Sequence, residues 1–195
     1  ETDKDNRVLA FYSKPHDQKV YHRNLVNAAL YVLSPEVFQY IEKDTFLDFG
    51  KDIFPKLASL NKSLYAYNTA EYIKDIGTIE RLKEVEEDFL SGKVQRLNRS
   101  NKQKAVFIDR DGVINFEAEP LNTPDKFNIL PNVDTALKIL NRSDYLSVVV
   151  TNQPIIAKGF ASVKQVCEIH NYMECILGKE GVYLDRIYYC PHHPE

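Results

Sequence analysis

Segments with the pattern of strands and of helices alternate along the second half of the chain, and this alternation constrains the fold most. Apolar, β-rich runs cover residues 105–108, 145–150 and 186–189. Between them, apolar residues recur at helical spacing, first at Val133, Ala136, Leu137 and Leu140 and then at Val166, Ile169, Met173, Ile176 and Leu177. The order strand, helix, strand, helix, strand predicts an α/β fold with a Rossmann-like parallel sheet and right-handed crossovers.

Capping signals predict helices at the same two places. Pro131 and Asn132 precede the first helical pattern and mark a helix start. Ser162 and Gln165 fit a capping box ahead of the second pattern, and Gly178 is expected to close that helix. Local capping chemistry and hydrophobic periodicity therefore indicate the same elements.

The first strand ends in two carboxylates, Asp109 and Asp111, and Gly112 follows at once. Side chains alternate across a strand, so the two carboxylates point the same way, and glycine permits a sharp turn after them. Open α/β sheets bind ligands at the carboxyl ends of their parallel strands. The pattern predicts a site that holds Mg²⁺ and attacks a phosphate; a solvated Asp-Gly turn is the alternative interpretation.

The other two strands also end in polar residues. Thr151, Asn152 and Gln153 follow the second strand and would face the carboxylates, with Thr151 either a donor to phosphate oxygens or a strand-terminal turn residue. Cys190 and His192 follow the third strand, and a thiolate and an imidazole at this spacing can ligate one Zn²⁺. Because a structural zinc site normally has four ligands, these two residues make half of one.

Composition limits the class of protein. The 195 residues include 25 basic and 28 acidic side chains, and this net charge of −3 gives no argument for nucleic-acid binding. No apolar stretch approaches the ~20 residues that span a bilayer. The polar start lacks a signal-peptide pattern, and three cysteines are too few for a disulfide framework. We expect a cytoplasmic protein with neither membrane nor nucleic acid as a partner.

A polar, basic segment over residues 92–103 separates the two halves. Its composition is typical of a linker, although a basic surface loop within one domain is the alternative. We therefore predict one domain over residues 1–91 and a second over residues 104–195.

The first half has a different pattern from the second. Residues 8–14 and 25–33 read as strands, residues 64–67 and 72–74 as shorter ones, and Thr78 opens a helix. These elements predict a separate module that mixes strands and helices.

Three motifs of the second half resemble the haloacid-dehalogenase superfamily, within it the D,D-heptose 1,7-bisphosphate phosphatases and the related histidinol-phosphate phosphatases. They are Ile108-Asp-Arg-Asp-Gly-Val-Ile-Asn115, Val150-Thr-Asn-Gln153 with Ala157-Lys-Gly159, and Tyr188-Tyr-Cys-Pro-His-His-Pro-Glu195. The resemblance covers about residues 104–195 and implies the N-terminal part of such a domain, so we expect an incomplete one. The family usually has Ser-Gly-Ile-Ala-Arg-Gly where this chain has Pro154-Ile-Ile-Ala-Lys-Gly159, a change in a substrate-side loop.

The resemblance implies roles for these residues. Asp109 would be the nucleophile that forms an aspartyl-phosphate, and Asp111 the general acid and then the base for water. Thr151, Asn152 and Gln153 would hold the phosphoryl group. Asp109 and Asp111 would also belong to the Mg²⁺ site, and Cys190 and His192 would match the first half of a zinc loop.

Four motifs of the first half resemble the C-terminal half of sugar-1-phosphate nucleotidyltransferases. They are Tyr12-Ser-Lys-Pro15, Val26-Asn-Ala-Ala-Leu-Tyr-Val-Leu-Ser-Pro35, Asp48-Phe-Gly-Lys-Asp-Ile-Phe-Pro55 and Lys74-Asp-Ile-Gly-Thr78. The resemblance implies that Lys14 contacts the sugar phosphate, Asn27 lines the sugar pocket and Asp75 is one of two Mg²⁺ ligands. Ser13 stands where that family usually has Glu.

Together the two resemblances imply a bifunctional protein of nucleotide-activated heptose synthesis, for lipopolysaccharide or S-layer glycans. A phosphatase would remove the 7-phosphate of heptose 1,7-bisphosphate, and a nucleotidyltransferase using a nucleoside triphosphate would charge the remaining sugar 1-phosphate. Three alternatives stay open: nucleotidyl transfer as the main activity, histidinol-phosphate hydrolysis, and a truncated, non-catalytic fragment.

Overall fold

The computed structural model describes residues 1–3, 5–12, 20–118 and 120–193. The chain divides into two compact units: unit 1 is Glu1–Val20 with Leu25–Thr69, and unit 2 is Tyr21–Asn24 with Ala70–Glu195. Residues 92–103 fall within unit 2. The domain boundaries at residues 91 and 104 stay a prediction.

Unit 1 is built around a small core rich in aromatic side chains. A 3₁₀ helix covers Pro35–Tyr40, and a π-helical turn over Phe49–Ile53 runs directly into helix α1, Phe54–Ser59. The buried core residues are Val37, Ile53, Phe54 and Leu57. The rings of Phe11 and Tyr31 pack against that of Phe54, with centroids 5.6 and 4.7 Å away.

The strands predicted in the first half do not form among the described residues. Val8 and Tyr65 each take part in a single bridge, and residues 25–33 and 72–74 have no regular structure. A strand needs a neighbour to pair its N–H and C=O groups, and in the described part of unit 1 no strand lies beside residues 25–33. The side chains of Val26, Leu30 and Val32 are accordingly 84%, 81% and 103% exposed.

Unit 2 begins with two helices, α2 over Ile79–Leu90 and the short α3 over Lys93–Arg96. The sheet follows, with β1 over Lys104–Ile108, β2 over Tyr145–Asn152 and β3 over Arg186–Cys190. Helix α4, Val133–Arg142, lies between the first two strands, and helix α5, Val163–Lys179, between the last two. All three strands are parallel in the order β1-β2-β3. The predicted α/β fold with a parallel sheet is confirmed.

One face of the sheet packs against both helices. Ile108, Val149 and Ile187 share that face, and a single core joins them to α4 and α5. The buried members of this core are Ile114, Leu121, Phe127, Leu137, Val149, Ile169, Met173, Leu177, Val182 and Leu184. The core therefore fixes the three strand ends relative to α5.

The capping prediction for α5 is confirmed at its start and wrong at its end. Ser162 Oγ accepts from Gln165 N at 3.2 Å, and Gln165 Oε1 accepts from Ser162 N at 2.8 Å, which is a capping box. Gly178, expected to close the helix, lies inside it. The left-handed backbone comes at Gly181, with a φ of +73°.

A short segment from early in the chain, Tyr21–Asn24, packs on α5 in unit 2. The ring of Tyr21 meets that of Tyr172 edge to face, 4.8 Å between centroids. Cys175 Sγ donates to the carbonyl of His22 at 3.2 Å, and Asn171 Nδ2 donates to the carbonyl of Tyr21 at 3.2 Å.

None of the helices in the described ranges is long and apolar enough to span a bilayer.

Candidate functional site

The two carboxylates that follow β1 open into a cavity at the carboxyl end of the sheet. The cavity has a volume of about 230 Å³ and is lined by Asp109, Asp111, Glu117, Val150, Thr151 and Asn152. The strand register explains the grouping, because Ile108 pairs with Val149 and the residues after each then lie at the same edge. Four of the site residues predicted from sequence are thus brought together.

The turn after the carboxylates is tight, and Gly112 makes it possible. The backbone N–H groups of Ile114 and Asn115 both point at the carbonyl of Arg110, at 2.8 and 3.1 Å. Gly112 has a φ of +76°, a conformation that side chains with a Cβ rarely adopt. This turn brings the side chain of Asn115 back towards Asp111.

Arg110, the residue between the two carboxylates, is a site residue that sequence reasoning missed. Its side chain is only 1% exposed. Nε and Nη2 donate to Asp111 Oδ1 at 3.2 and 3.0 Å, and Nη2 also donates to Asp111 Oδ2 at 2.8 Å. Nη2 further donates to Gln153 Oε1 at 2.9 Å. Two nitrogens of the buried guanidinium therefore donate to the carboxylate of Asp111.

Two amides complete the surroundings of Asp111. Asn115 Nδ2 donates to its Oδ1 at 3.0 Å, and Gln153 Nε2 donates to its Oδ2 at 2.8 Å. Burial raises the pKa of the Asp111 carboxyl, but the hydrogen bonds and charge of Arg110, helped by the two amides, outweigh it and lower the pKa below its usual range. Asp111 is therefore held as an oriented carboxylate at neutral pH.

Asp109 has a different environment from Asp111. Its Oδ1 accepts the backbone N–H of Arg110 at 2.6 Å, and its side chain lines the cavity beside Thr151 and Asn152. No other hydrogen bond to its carboxylate is found among the described residues. One carboxylate oxygen is therefore available to a ligand in the cavity.

Thr151 lines the cavity, and Gln153 supports it from the buried side. Gln153 is buried and lines neither of the two cavities at this end of the sheet. Its Nε2 donates to Thr151 Oγ1 at 3.1 Å, so the hydroxyl of Thr151 accepts on that side and keeps its own proton for a ligand. The role of Gln153 as a direct phosphate contact stays a prediction, and its position is that of a brace for Asp111.

A second, larger cavity of about 450 Å³ shares Asp111, Glu117 and Asn152 with the first. Its other lining residues are Ala118, Pro120, Leu121, Pro154, Ile155, Lys158 and Phe160. The Pro154–Lys158 loop, where the sequence departs from the family pattern, thus forms one wall. Lys158 is the one cationic side chain among the described lining residues, beside mostly apolar neighbours.

Cys190 and His192 lie close together at the end of β3. Cys190 Sγ is 3.7 Å from His192 Nδ1. Within the described ranges, no group of three or more His, Cys, Asp or Glu side chains is arranged to hold a metal ion. The short distance agrees with the predicted pairing of these two side chains, and zinc binding by them stays a prediction.

The residues expected in a nucleotidyltransferase site are divided between unit 1, unit 2 and the part of the chain outside the described residues. Lys14 lies outside the described residues. Asn27 is in unit 1, where its Oδ1 accepts from Ala29 N and from the Tyr31 hydroxyl, both at 3.0 Å. Asp75 is in unit 2, where its Oδ1 accepts from Gly77 N at 2.9 Å and its other oxygen pairs with Arg81.

Two motifs of the first half do meet in unit 1. A methyl group at Gly50 would lie 3.1 Å from Asn27 Nδ2, so the Asn27 loop passes close to the turn that contains Gly50. Phe49 and Phe54 of the same motif pack against Tyr31.

Comparison with known proteins finds relatives of two kinds, one for each half of the chain. The nucleotidyl transferase family model matches residues 1–92. The D-glycero-beta-D-manno-heptose-1,7-bisphosphate 7-phosphatase of Haemophilus ducreyi is 45% identical over 94 residues, 48% of this chain and 52% of that protein. The enzyme of the same name from Haemophilus influenzae is 41% identical over 92 residues, 47% of this chain and 50% of that protein.

A solved structure, that of D,D-heptose 1,7-bisphosphate phosphatase from B. bronchiseptica complexed with magnesium and phosphate, is 33% identical with a TM-score of 0.46. The match covers 48% of this chain and 52% of the B. bronchiseptica chain. The chain spans about half the length of the curated relatives it matches. Both resemblances read from the motifs are confirmed: the chain is similar to nucleotidyl transferases over residues 1–92 and, over a stretch of about equal length, to heptose 1,7-bisphosphate phosphatases.

Proposed function

We propose that this chain carries the nucleophile and proton-transfer groups of a Mg²⁺-dependent sugar phosphatase that hydrolyses the 7-phosphate of heptose 1,7-bisphosphate. The observation that carries the proposal is the contrast between the two carboxylates at the cavity. Asp109 offers an open oxygen, while Asp111 is clamped by Arg110, Asn115 and Gln153. A nucleophile needs a free oxygen, and a proton-transfer group needs a fixed orientation.

In the first step, Asp109 attacks phosphorus and the bond from phosphorus to the sugar oxygen breaks. Asp111, which takes up a proton from solvent as the bound phosphate dianion raises its pKa, delivers that proton to the leaving oxygen, and an aspartyl-phosphate remains. In the second step, Asp111 takes a proton from water, which attacks phosphorus; the bond from phosphorus to the Asp109 oxygen breaks, and inorganic phosphate is released. The lowered pKa of Asp111 keeps the group in the ionised form that can accept a proton, and the approach of a phosphate dianion raises that pKa for the acid role.

The donors at the cavity fit a hard divalent cation. Asp109 and the amide oxygen of Asn152 are oxygen ligands of the kind Mg²⁺ prefers, and phosphate oxygens would complete its shell. Bound there, Mg²⁺ would offset the negative charge that repels a carboxylate from a phosphate. Five N–H contacts occupy the carboxylate of Asp111, so its oxygens have little capacity left for the metal role also predicted for it.

The second cavity fits the rest of a phosphorylated sugar. Phe160 and Ile155 offer apolar surface to the carbon skeleton, and Lys158 offers a cation to the phosphate that is not cleaved. The hydroxyl of Thr151 would donate to the phosphate that is cleaved. Cys190 and His192 would hold Zn²⁺ together with two further ligands, as a structural support for the end of β3.

The match to the nucleotidyl transferase family model favours a second activity in the same protein. The product of the phosphatase step, a sugar 1-phosphate, is a substrate for transfer from a nucleoside triphosphate. Two such sites in one protein would share this intermediate at high effective concentration. We propose a place in the cytoplasmic synthesis of nucleotide-activated heptose.

The experiment compares phosphate release from heptose 1,7-bisphosphate with pyrophosphate release from sugar 1-phosphate and nucleoside triphosphate. It uses this chain and any longer natural protein that contains it, with Mg²⁺. Asp109→Asn should lower phosphate release at least about a thousandfold, because an amide is a poor nucleophile. Asp75→Ala is the matched control and should leave phosphate release unchanged while lowering pyrophosphate release.

Phosphate release that survives Asp109→Asn would overturn the assignment of the nucleophile. Faster turnover of histidinol phosphate than of heptose 1,7-bisphosphate would reassign the substrate. Release of neither product by this chain, with release by the longer protein, would favour the alternative of a truncated, non-catalytic fragment.

A further inference from the structure

The guanidinium of Arg110 has a second contact, on the side away from Asp111. Its Nη1 lies 3.0 Å from Nε2 of His170, on helix α5. An arginine can only donate hydrogen bonds, so Nε2 must be the acceptor. The imidazole is therefore neutral and carries its proton on Nδ1.

His170 sits in a buried, packed environment. It is 5% exposed, and its ring lies 5.5 Å from that of Tyr189 between centroids. Burial, followed by the charge of Arg110, lowers the pKa of His170 to about 3, although Asp111 acts in the opposite direction. The ring is thus suited to serve as a neutral acceptor throughout the physiological pH range.

We propose that His170 is a positioning residue that orients the carboxylate of Asp111 through Arg110. By accepting from Nη1, it fixes the plane of the guanidinium so that Nε and Nη2 face Asp111 as a fork. A buried Nη1 without an acceptor would be costly, and the guanidinium would turn to find another one. Of the two tests below, only the kinetic one depends on the proposed function.

The geometry separates this role from direct catalysis. His170 lines neither cavity, and its contact with the site runs through Arg110. Gln153 belongs to the same network, because it accepts from Arg110 and donates to Asp111. The chain of contacts thus links a helix in the core to the proton-transfer group at the surface of the cavity.

The kinetic test uses two substitutions of His170 and a control on the same helix. His170→Phe keeps a flat, buried ring without an acceptor, and kcat for heptose 1,7-bisphosphate should fall about tenfold with KM changed less than about twofold. His170→Gln supplies a carbonyl at a similar reach and should recover most of that loss. Ile169→Val, a buried neighbour outside the network, should leave kcat within about twofold of the unchanged protein.

A structural readout decides the matter if the chain shows no turnover. In ¹⁵N NMR spectra of the unchanged protein, Nδ1 of His170 should be the protonated nitrogen. The side-chain amide signals of Asn115 and Gln153 should shift in His170→Phe and return towards their original positions in His170→Gln. Ile169→Val should leave those signals in place.

Three results would refute the inference: a proton on Nε2 of His170, unchanged amide signals in His170→Phe, or the same kcat for His170→Phe and Ile169→Val. If His170→Phe fails to fold, the tautomer of the unchanged protein and the kcat of His170→Gln decide. Absence of phosphate release together with the expected amide shifts would reject the proposed function and keep the positioning role.

Discussion

Two arginine–aspartate pairs in unit 2 show how surroundings change what the same residue types can do. Arg110 and Asp111 have side-chain exposures of 1% and 30%, and two amides bind the same carboxylate. Arg81 and Asp75 have exposures of 51% and 71%, and their pair lies open to water. The difference is that a buried donor network orients one carboxylate and water surrounds the other.

The contrast extends to the apolar residues of the two units. In unit 2, a parallel sheet and two helices bury one continuous core. In unit 1, a smaller core forms around Phe54, and Val26, Leu30 and Val32 of the 25–33 segment are exposed. An apolar sequence becomes a strand only where a neighbour can pair with it.

The largest expected effect tests the two ion pairs directly. Arg110→Leu should destabilise the protein by about 3 to 5 kcal/mol, because it removes one partner of a buried pair and leaves Asp111 and Gln153 short of donors. Arg81→Leu should cost less than about 1 kcal/mol, as usual for an exposed pair. Urea denaturation followed by circular dichroism measures both. Equal losses for the two variants would contradict the comparison.

A pair of leucines tests the two units in the same way. Leu177 is buried in the core of unit 2, and Leu177→Ala should lower the free energy of unfolding by about 2 to 5 kcal/mol. Leu30 is exposed in unit 1, and Leu30→Ala should change the free energy of unfolding by no more than about 0.5 kcal/mol. Both variants make the same chemical change, so the difference in unfolding free energy reports burial alone. A large loss for Leu30→Ala would show that the 25–33 segment is packed in solution.

The smallest of these effects depends on pH. Burial raises the pKa of Glu174 to about 7, against the opposing influence of Arg23 and the backbone of Asn24. The folded state therefore binds this proton more tightly than the unfolded state, and stability falls as pH rises from about 4.5 through 7. Glu174→Gln should remove this fall and stabilise the protein at pH 8 by up to about 3 kcal/mol, with little effect at pH 4.

The control for Glu174 is Glu168→Gln on the same helix. Glu168 is half exposed and lies 4.0 Å from Lys164, so its substitution should change stability little at either pH. Urea midpoints of the unchanged protein and of both variants at pH 4 and pH 8 give the six values needed. A Glu174→Gln variant with the same pH dependence as the unchanged protein would show that Glu174 is ionised without penalty.

Much of the second half could be predicted because its signals are local. The three strands, the capping box at Ser162 and the placement of Asp109 and Asp111 at a shared edge all follow from periodicity and spacing. His170 carried a weaker signal, since it falls within the apolar stripe of α5 between Ile169 and Met173. A histidine on such a stripe is usually a core residue, and its partner cannot be read from the helix alone.

The amino-acid sequence by itself determined the alternation of strands and helices, the two carboxylates after β1 and the two family resemblances. Each depends on residues close together in the chain, where covalent geometry sets the spacing. Only the tertiary structure decided what Arg110 does, because His170 and Gln153 come from distant parts of the chain and meet it through packing. It also decided that the 25–33 segment stays unpaired with any described strand. Contacts of this kind depend on which surfaces the core brings together, which no local pattern specifies.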